Sequence, residues 1–134
     1  MPSAGGVPAV LFYSMPDSLE ELTSKLREFS ARRDWEQFHS PKNLAMALIV
    51  EAAELVEQFQ WLSQEDSLNL SAEQKNAVRD ELADVLIYLV RLADRLDVDL
   101  LAAAADKMAR NARRYPEDLA RSRADKYTAY QEKP

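Results

Sequence analysis

The chain has 134 residues, 47% of them hydrophobic and 30% charged, with a formal net charge of −6. That length fits one domain with a sizeable core, and the apolar content excludes a disordered chain. With no cysteine and one histidine, His39, disulfides, thiolate zinc sites, cysteine nucleophiles and any pair of imidazole ligands are excluded, and the acidic balance argues against non-specific nucleic-acid binding.

Residues 1–16 hold three prolines and both glycines, which predicts an extended arm; Met15 is a candidate start, leaving a short leader before it. Ser18-Leu-Glu-Glu21 reads as a capping box, and Leu22, Leu26 and Phe29 follow at helical spacing, so a first helix is expected from Leu19 to about Arg33. Trp35–Ser40 is an aromatic-rich connector. Ser40-Pro41 supplies an N-cap with proline at the first helical position, opening a second helix that runs to about Trp61. Its stretch Leu44–Val50 is apolar on every face and needs neighbours all round. Gln64–Leu70 reads as a polar loop, and Ser71-Ala-Glu-Gln74 as a second capping box opening a third helix to about Leu96. Asp97 or Asp99 caps a fourth helix, which Pro116 ends just after Tyr115. The tail, 117–134, is charged and weakly helical.

Four helices with short connections, and only two glycines for tight turns, predict an all-α four-helix bundle over residues 17–116. The second and third helices carry more apolar surface than two short partners can cover. Self-association is therefore expected, as a symmetric dimer or a dimer of dimers. No apolar run of about 18 residues is available to span a membrane. Val10–Tyr13 is too short for a signal-peptide core and lacks a basic flank, so a cytoplasmic location is expected.

The chemistry concentrates in two acidic pairs, Glu51/Glu54 and Glu81/Asp84, each at i, i+3 spacing within an apolar helix. A single such pair is ordinarily a solvated stripe. Two of them among Ala, Leu and Val would gather four carboxylates against apolar surroundings, which persists only if something offsets the repulsion. A hard divalent cation with oxygen ligands, Mg²⁺ above all, does so. The stripes read Ala47, Glu51, Glu54, Gln58, Trp61 on one helix and Ala77, Glu81, Asp84, Tyr88, Arg91 on the other. Lys107, Asn111 and Arg114 share one face of the fourth helix and suit a phosphate clamp; Arg113 beside them complements the helix dipole. Trp35, His39, Trp61 and Tyr88 are candidates for an aromatic pocket around a flat ring, whereas Phe38 is assigned to the core. Glu57 and Glu65 are expected to be ordinary surface charges.

Together these residues resemble the MazG-like all-α nucleoside triphosphate pyrophosphohydrolases, whose ExxE and ExxD motifs read here as EAAE (Glu51 to Glu54) and ELAD (Glu81 to Asp84). The stretches RDWEQFH, FQW, DVLIYLV, KMARNARRYP and LARS, with Lys126-Tyr127, are similar to the dCTP pyrophosphatase branch, and the resemblance covers Leu19 to Tyr127. It implies Mg²⁺-dependent hydrolysis of dCTP and base-modified dCTP to the monophosphate and pyrophosphate by a homotetramer built from dimers. It also implies that Glu51, Glu54, Glu81 and Asp84 hold metal, and that Trp35, His39, Trp61 and Tyr88 enclose the base. Lys107, Asn111, Arg114 and Tyr115 would contact phosphates or sugar. Either Glu51 or Glu54 would act as general base. One position departs: where animal members carry a histidine near the nucleotide, this chain has Leu26.

Two other readings compete with this one. A relative acting on dUTP or a broader nucleotide set would share the same metal machinery. A helical interaction module would use the acids for structural metal or partner lysines. A ferritin-like di-iron bundle needs Glu-x-x-His ligands from two helices, which one histidine cannot supply.

Overall fold

The computed structural model describes residues 9–130, which are all helix, turn and loop, with no strand among them. The elements are α1 (Ala9–Phe12), α2 (Leu19–Ala31), a 3₁₀ turn (Glu36–Phe38), α3 (Pro41–Glu57), α4 (Gln64–Ser67), α5 (Ala72–Arg95), α6 (Leu100–Arg114), α7 (Glu117–Ala120) and a second 3₁₀ turn (Tyr127–Tyr130). The chain divides at Asp97/Val98 into two compact units.

Side-chain caps start each long helix. The hydroxyls of Ser18, Ser40 and Ser71 accept from the N–H of Glu21, Asn43 and Gln74, and the Asp99 carboxylate accepts from Ala102 N–H. At Ser71 the capping box is complete, with Gln74 accepting from Ser71 N–H at 2.9 Å. At Ser18 it is offset: Glu21 accepts from the N–H of Asp17 instead. Between Asp97 and Asp99, the cap is Asp99. Asp97 sits in the left-handed region (φ 54°) just beyond α5, a conformation aspartate tolerates better than most residues.

In the first unit α5 is the spine, with α3 and α2 both packed on it. Its buried apolar positions are Leu44 on α3, Val90 and Ala93 on α5, and Phe12 on α1. Leu44, 1% exposed, stabilises the pairing by roughly 2–3 kcal/mol of transferred apolar surface. The expected extended arm is corrected at its end: Ala9–Phe12 forms a helical turn because Phe12 is buried, with the Arg32 guanidinium 4.9 Å over its ring. The rest of that arm, 1–8, lies outside the described residues.

Three other expectations shift. Glu57 ends α3 and turns carry Gln58 to Trp61, since no glycine or proline marks the stop. Gln64–Ser67 is a short helix capped by Ser63 rather than loop. Phe38 is 59% exposed rather than in the core; the turn that carries it is tied to α5 through Glu36 instead.

Of the apolar run Leu44–Val50 only Leu44 is buried within the chain; Met46, Ile49 (66% exposed) and Val50 are open to solvent, as are Val56 on α3 and Leu82 and Leu86 on α5. The second unit is built differently. There Tyr115, at the end of α6, meets the rings of Tyr127 and Tyr130 edge-on at 6.4 and 5.8 Å.

Candidate active site

Helix spacing and the α3–α5 pairing bring the acidic pairs together. Carboxylate oxygens of Glu51, Glu81 and Asp84 all lie within 4.8 Å of one another. Glu54, one turn on from Glu51, is the fourth member, and its charge bears on both Glu51 and Glu81. Burial first, then Glu54, push the Glu51 carboxyl up to about 7, with Asp84 and Glu81 adding to the effect. Burial and the charge of Glu54 raise Glu81 in the same sense. One oxygen each of Glu51 and Glu81 is buried with no hydrogen-bond donor among the described residues. Orphaned buried carboxylate oxygens are costly, and those of a three-carboxylate group suit a hard cation that takes oxygen ligands. The donor set therefore fits Mg²⁺ or a similar ion, with Glu51, Glu81 and Asp84 as the residues that would hold it.

The stripe on α5 continues past the acids. Tyr88 is half-buried one turn beyond Asp84, and Arg91 follows about 10 Å along the axis from Asp84. Arg91 is 2% exposed and is the hub of an ion-pair network. It meets Glu36 at 3.1 Å and Asp94 at 3.3 Å; Arg27 also grips Asp94, and Arg95 meets Glu36 at 3.3 Å. The hydrogen bond from Arg27 and the nearby guanidinium charges hold Asp94 below the usual carboxylate range.

The same Arg91 donates to His39 Nδ1 at 3.3 Å. Since arginine only donates, Nδ1 must accept, which leaves the proton of neutral His39 on Nε2. Burial, then the charge of Arg91, keep this imidazole below its ordinary pKa and so neutral. Trp35 stands 6.2 Å from the His39 ring, braced edge-on by Phe29. Trp35, His39 and the α5 stripe are thus assembled by α2, the 3₁₀ turn and α5. Trp61 is not on the α3 stripe, because α3 has already ended; it projects from the following turn, 88% exposed.

Lys107, Asn111, Arg114 and Tyr115 lie on the second unit, where the first three share a face of α6 and Tyr115 closes it. Arg114 lies 4.5 Å over the Tyr127 ring. Sequence reasoning missed three further residues of this surface: Arg110, which sits at i+3 from Lys107 and so bore a periodic signal, and Tyr127 and Tyr130, whose packing on Tyr115 carries none. It also missed the Arg91 network, although Arg91 itself stood on the stripe.

Two packed helices share a half-buried carboxylate cluster with orphaned oxygens, a helical framework that could hold a divalent cation. Comparison with known proteins narrows the class. Residues 46–129 match the model of the MazG-like family. The chain is 47% identical over 123 residues to human dCTP pyrophosphatase 1, covering 90% of this chain and 72% of the relative. It is 48% identical over 118 residues to the Bos taurus protein of the same name, covering 87% and 70%. Among solved structures, a pyrophosphatase from Archaeoglobus fulgidus aligns with a TM-score of 0.70 at 43% identity, over 73% of this chain and 92% of that one. The chain belongs to the MazG-like family.

Proposed function

We propose that the protein hydrolyses dCTP, and base-modified forms such as 5-methyl-dCTP, to the nucleoside monophosphate and pyrophosphate with Mg²⁺. The observation that carries this reading is the carboxylate group of α3 and α5 with its two orphaned oxygens, in a chain whose relatives are named for dCTP pyrophosphatase activity. Glu51, Glu81 and Asp84 would hold the cation. When bound, it neutralises phosphate oxygens and favours departure of pyrophosphate. Glu54, which lies outside that three-residue group, takes the proton of the attacking water.

The base is enclosed by Trp35, His39, Trp61 and Tyr88. His39, held neutral, offers an Nε2–H donor to an acceptor on the pyrimidine edge, and a base that leaves such a donor unpaired is rejected. Exposure of Trp61 is consistent with a ring that waits for a partner, whether base or second subunit. Lys107, Asn111, Arg114 and Tyr115 contact phosphates or sugar.

The enzyme works as a homotetramer, a dimer of dimers. The exposed Met46, Ile49, Val50 and Val56 of α3 and Leu82 of α5 support this, since such an apolar surface calls for another copy. It acts in the cytoplasm, without nucleic-acid or membrane partners; no helix among the described residues is long and apolar enough to cross a membrane. A competition panel of dCTP, 5-methyl-dCTP, dUTP and dTTP tests the substrate class. The expected result is faster hydrolysis of the two cytosine nucleotides, and equal rates on all four would refute the cytosine-reading pocket.

A further inference from the structure

We infer that the second unit carries an oxyanion pocket of its own, formed by Arg110, Arg113 and Tyr130 and suited to inorganic phosphate or pyrophosphate. A cavity of about 330 Å³ opens there, lined by Arg110, Arg113, Arg114, Pro116, Tyr127 and Tyr130. Its three arginines fall within five residues at the end of α6. A helix C-terminus presents only about half a negative charge, which one cation satisfies, so at least two guanidiniums are surplus to the dipole. None of the three makes an ion pair or side-chain hydrogen bond among the described residues, whereas Arg27, Arg91 and Arg95 of the first unit are all paired with carboxylates. Like charges gathered without a counter-charge repel, and an anion between them relieves the repulsion.

The aromatic wall selects the kind of anion. Guanidiniums already cover the rings: Arg114 lies 4.5 Å over Tyr127 and Arg123 lies 5.0 Å over Tyr130, the latter held by Asp125 at 2.6 Å. Tyr115 meets both rings edge-on. Little ring surface is left for a base to stack on. Tyr130 lines the same cavity, and its hydroxyl is buried with no hydrogen-bond partner among the described residues. Guanidinium forks with a hydroxyl donor match a tetrahedral phosphate. By helical spacing Arg110 stands about 60° round α6 from Lys107 and Arg113 about a third of a turn, so this pocket borders the proposed clamp and shares Arg114 with it.

The test uses the full chain in EDTA without divalent cations, so that chelated pyrophosphate at the carboxylates does not contribute. Calorimetric titration with orthophosphate and with pyrophosphate is expected to give binding by the wild type. R110A/R113A should weaken it about tenfold or more, and Y130F about fivefold, with circular dichroism melts unchanged. R110Q/R113Q serves as the second charge-removing variant if the alanine protein fails to fold. Tighter binding of pyrophosphate would identify the reaction product as the occupant, and comparable binding would identify free phosphate. Absence of wild-type binding to either anion, or wild-type affinity in the folded double variant, would overturn the inference.

Discussion

The two units of this chain carry opposite electrostatic problems. Residues 1–97 hold nine basic against seventeen acidic side chains, while residues 98–134 hold eight against six. In the first unit the arginines at the α5 end are consumed by carboxylates, and the acids left over crowd into one half-buried group on α3 and α5. In the second unit Arg110, Arg113 and Arg114 gather without counter-charges among the described residues. A surplus of clustered carboxylates calls for a cation and a surplus of clustered guanidiniums for an anion.

The largest effect that would break this comparison lies at the carboxylates. Glu81→Gln keeps the shape and removes a ligand. Turnover of dCTP should fall by roughly 10²–10³-fold, while the melting temperature in EDTA rises because a repelling charge is gone. A variant with near wild-type turnover would remove Glu81 from the metal group.

The arginines offer the next test. Arg91→Met strips a buried charge from Glu36 and Asp94, and urea unfolding should show a loss of about 3 kcal/mol. Arg114→Met removes only a cation–π contact and should cost less than about 1 kcal/mol. Equal costs would erase the distinction between a paired and an unpaired set.

Trp61→Ala should raise KM for dCTP about tenfold, as expected for one lost stacking contact, with stability changed by less than about 0.5 kcal/mol. Loss of folding instead would place this exposed ring in a subunit interface.

The smallest effect is pH-dependent. Glu51 titrates near 7 in the folded chain against 4.5 for an ordinary glutamate, so the folded state binds more protons than the unfolded state between those values. Stability of the metal-free protein should therefore fall as pH rises from about 4.5 to 7, and Mg²⁺ should reverse the trend by favouring the ionised form. A flat profile in EDTA would mean that the carboxylates are less crowded than their geometry implies.

Local signals carried much of this structure. Ser18, Ser40, Ser71 and Asp99 each mark a helix start because capping is a matter of one side chain and a backbone N–H three residues on. The acid pairs were legible for a similar reason: i, i+3 spacing fixes a shared face before any tertiary contact exists. What stayed hidden depends on the folded chain. The end of α3 has no stop residue, so Trp61 left the stripe unannounced. The Arg27–Asp94–Arg91–Glu36–His39 network joins residues up to 67 positions apart. The tyrosine cluster unites the end of α6 with a tail of little periodicity.

The central claim is that the α3–α5 carboxylates drive attack on a triphosphate with release of pyrophosphate. Phosphorus NMR of dCTP incubated with the protein and Mg²⁺ tests it most directly, with Glu54→Ala run alongside. Signals of dCMP and pyrophosphate should grow together, and be nearly absent with the variant. Release of orthophosphate and dCDP, or no pyrophosphate above the variant's level, would contradict it.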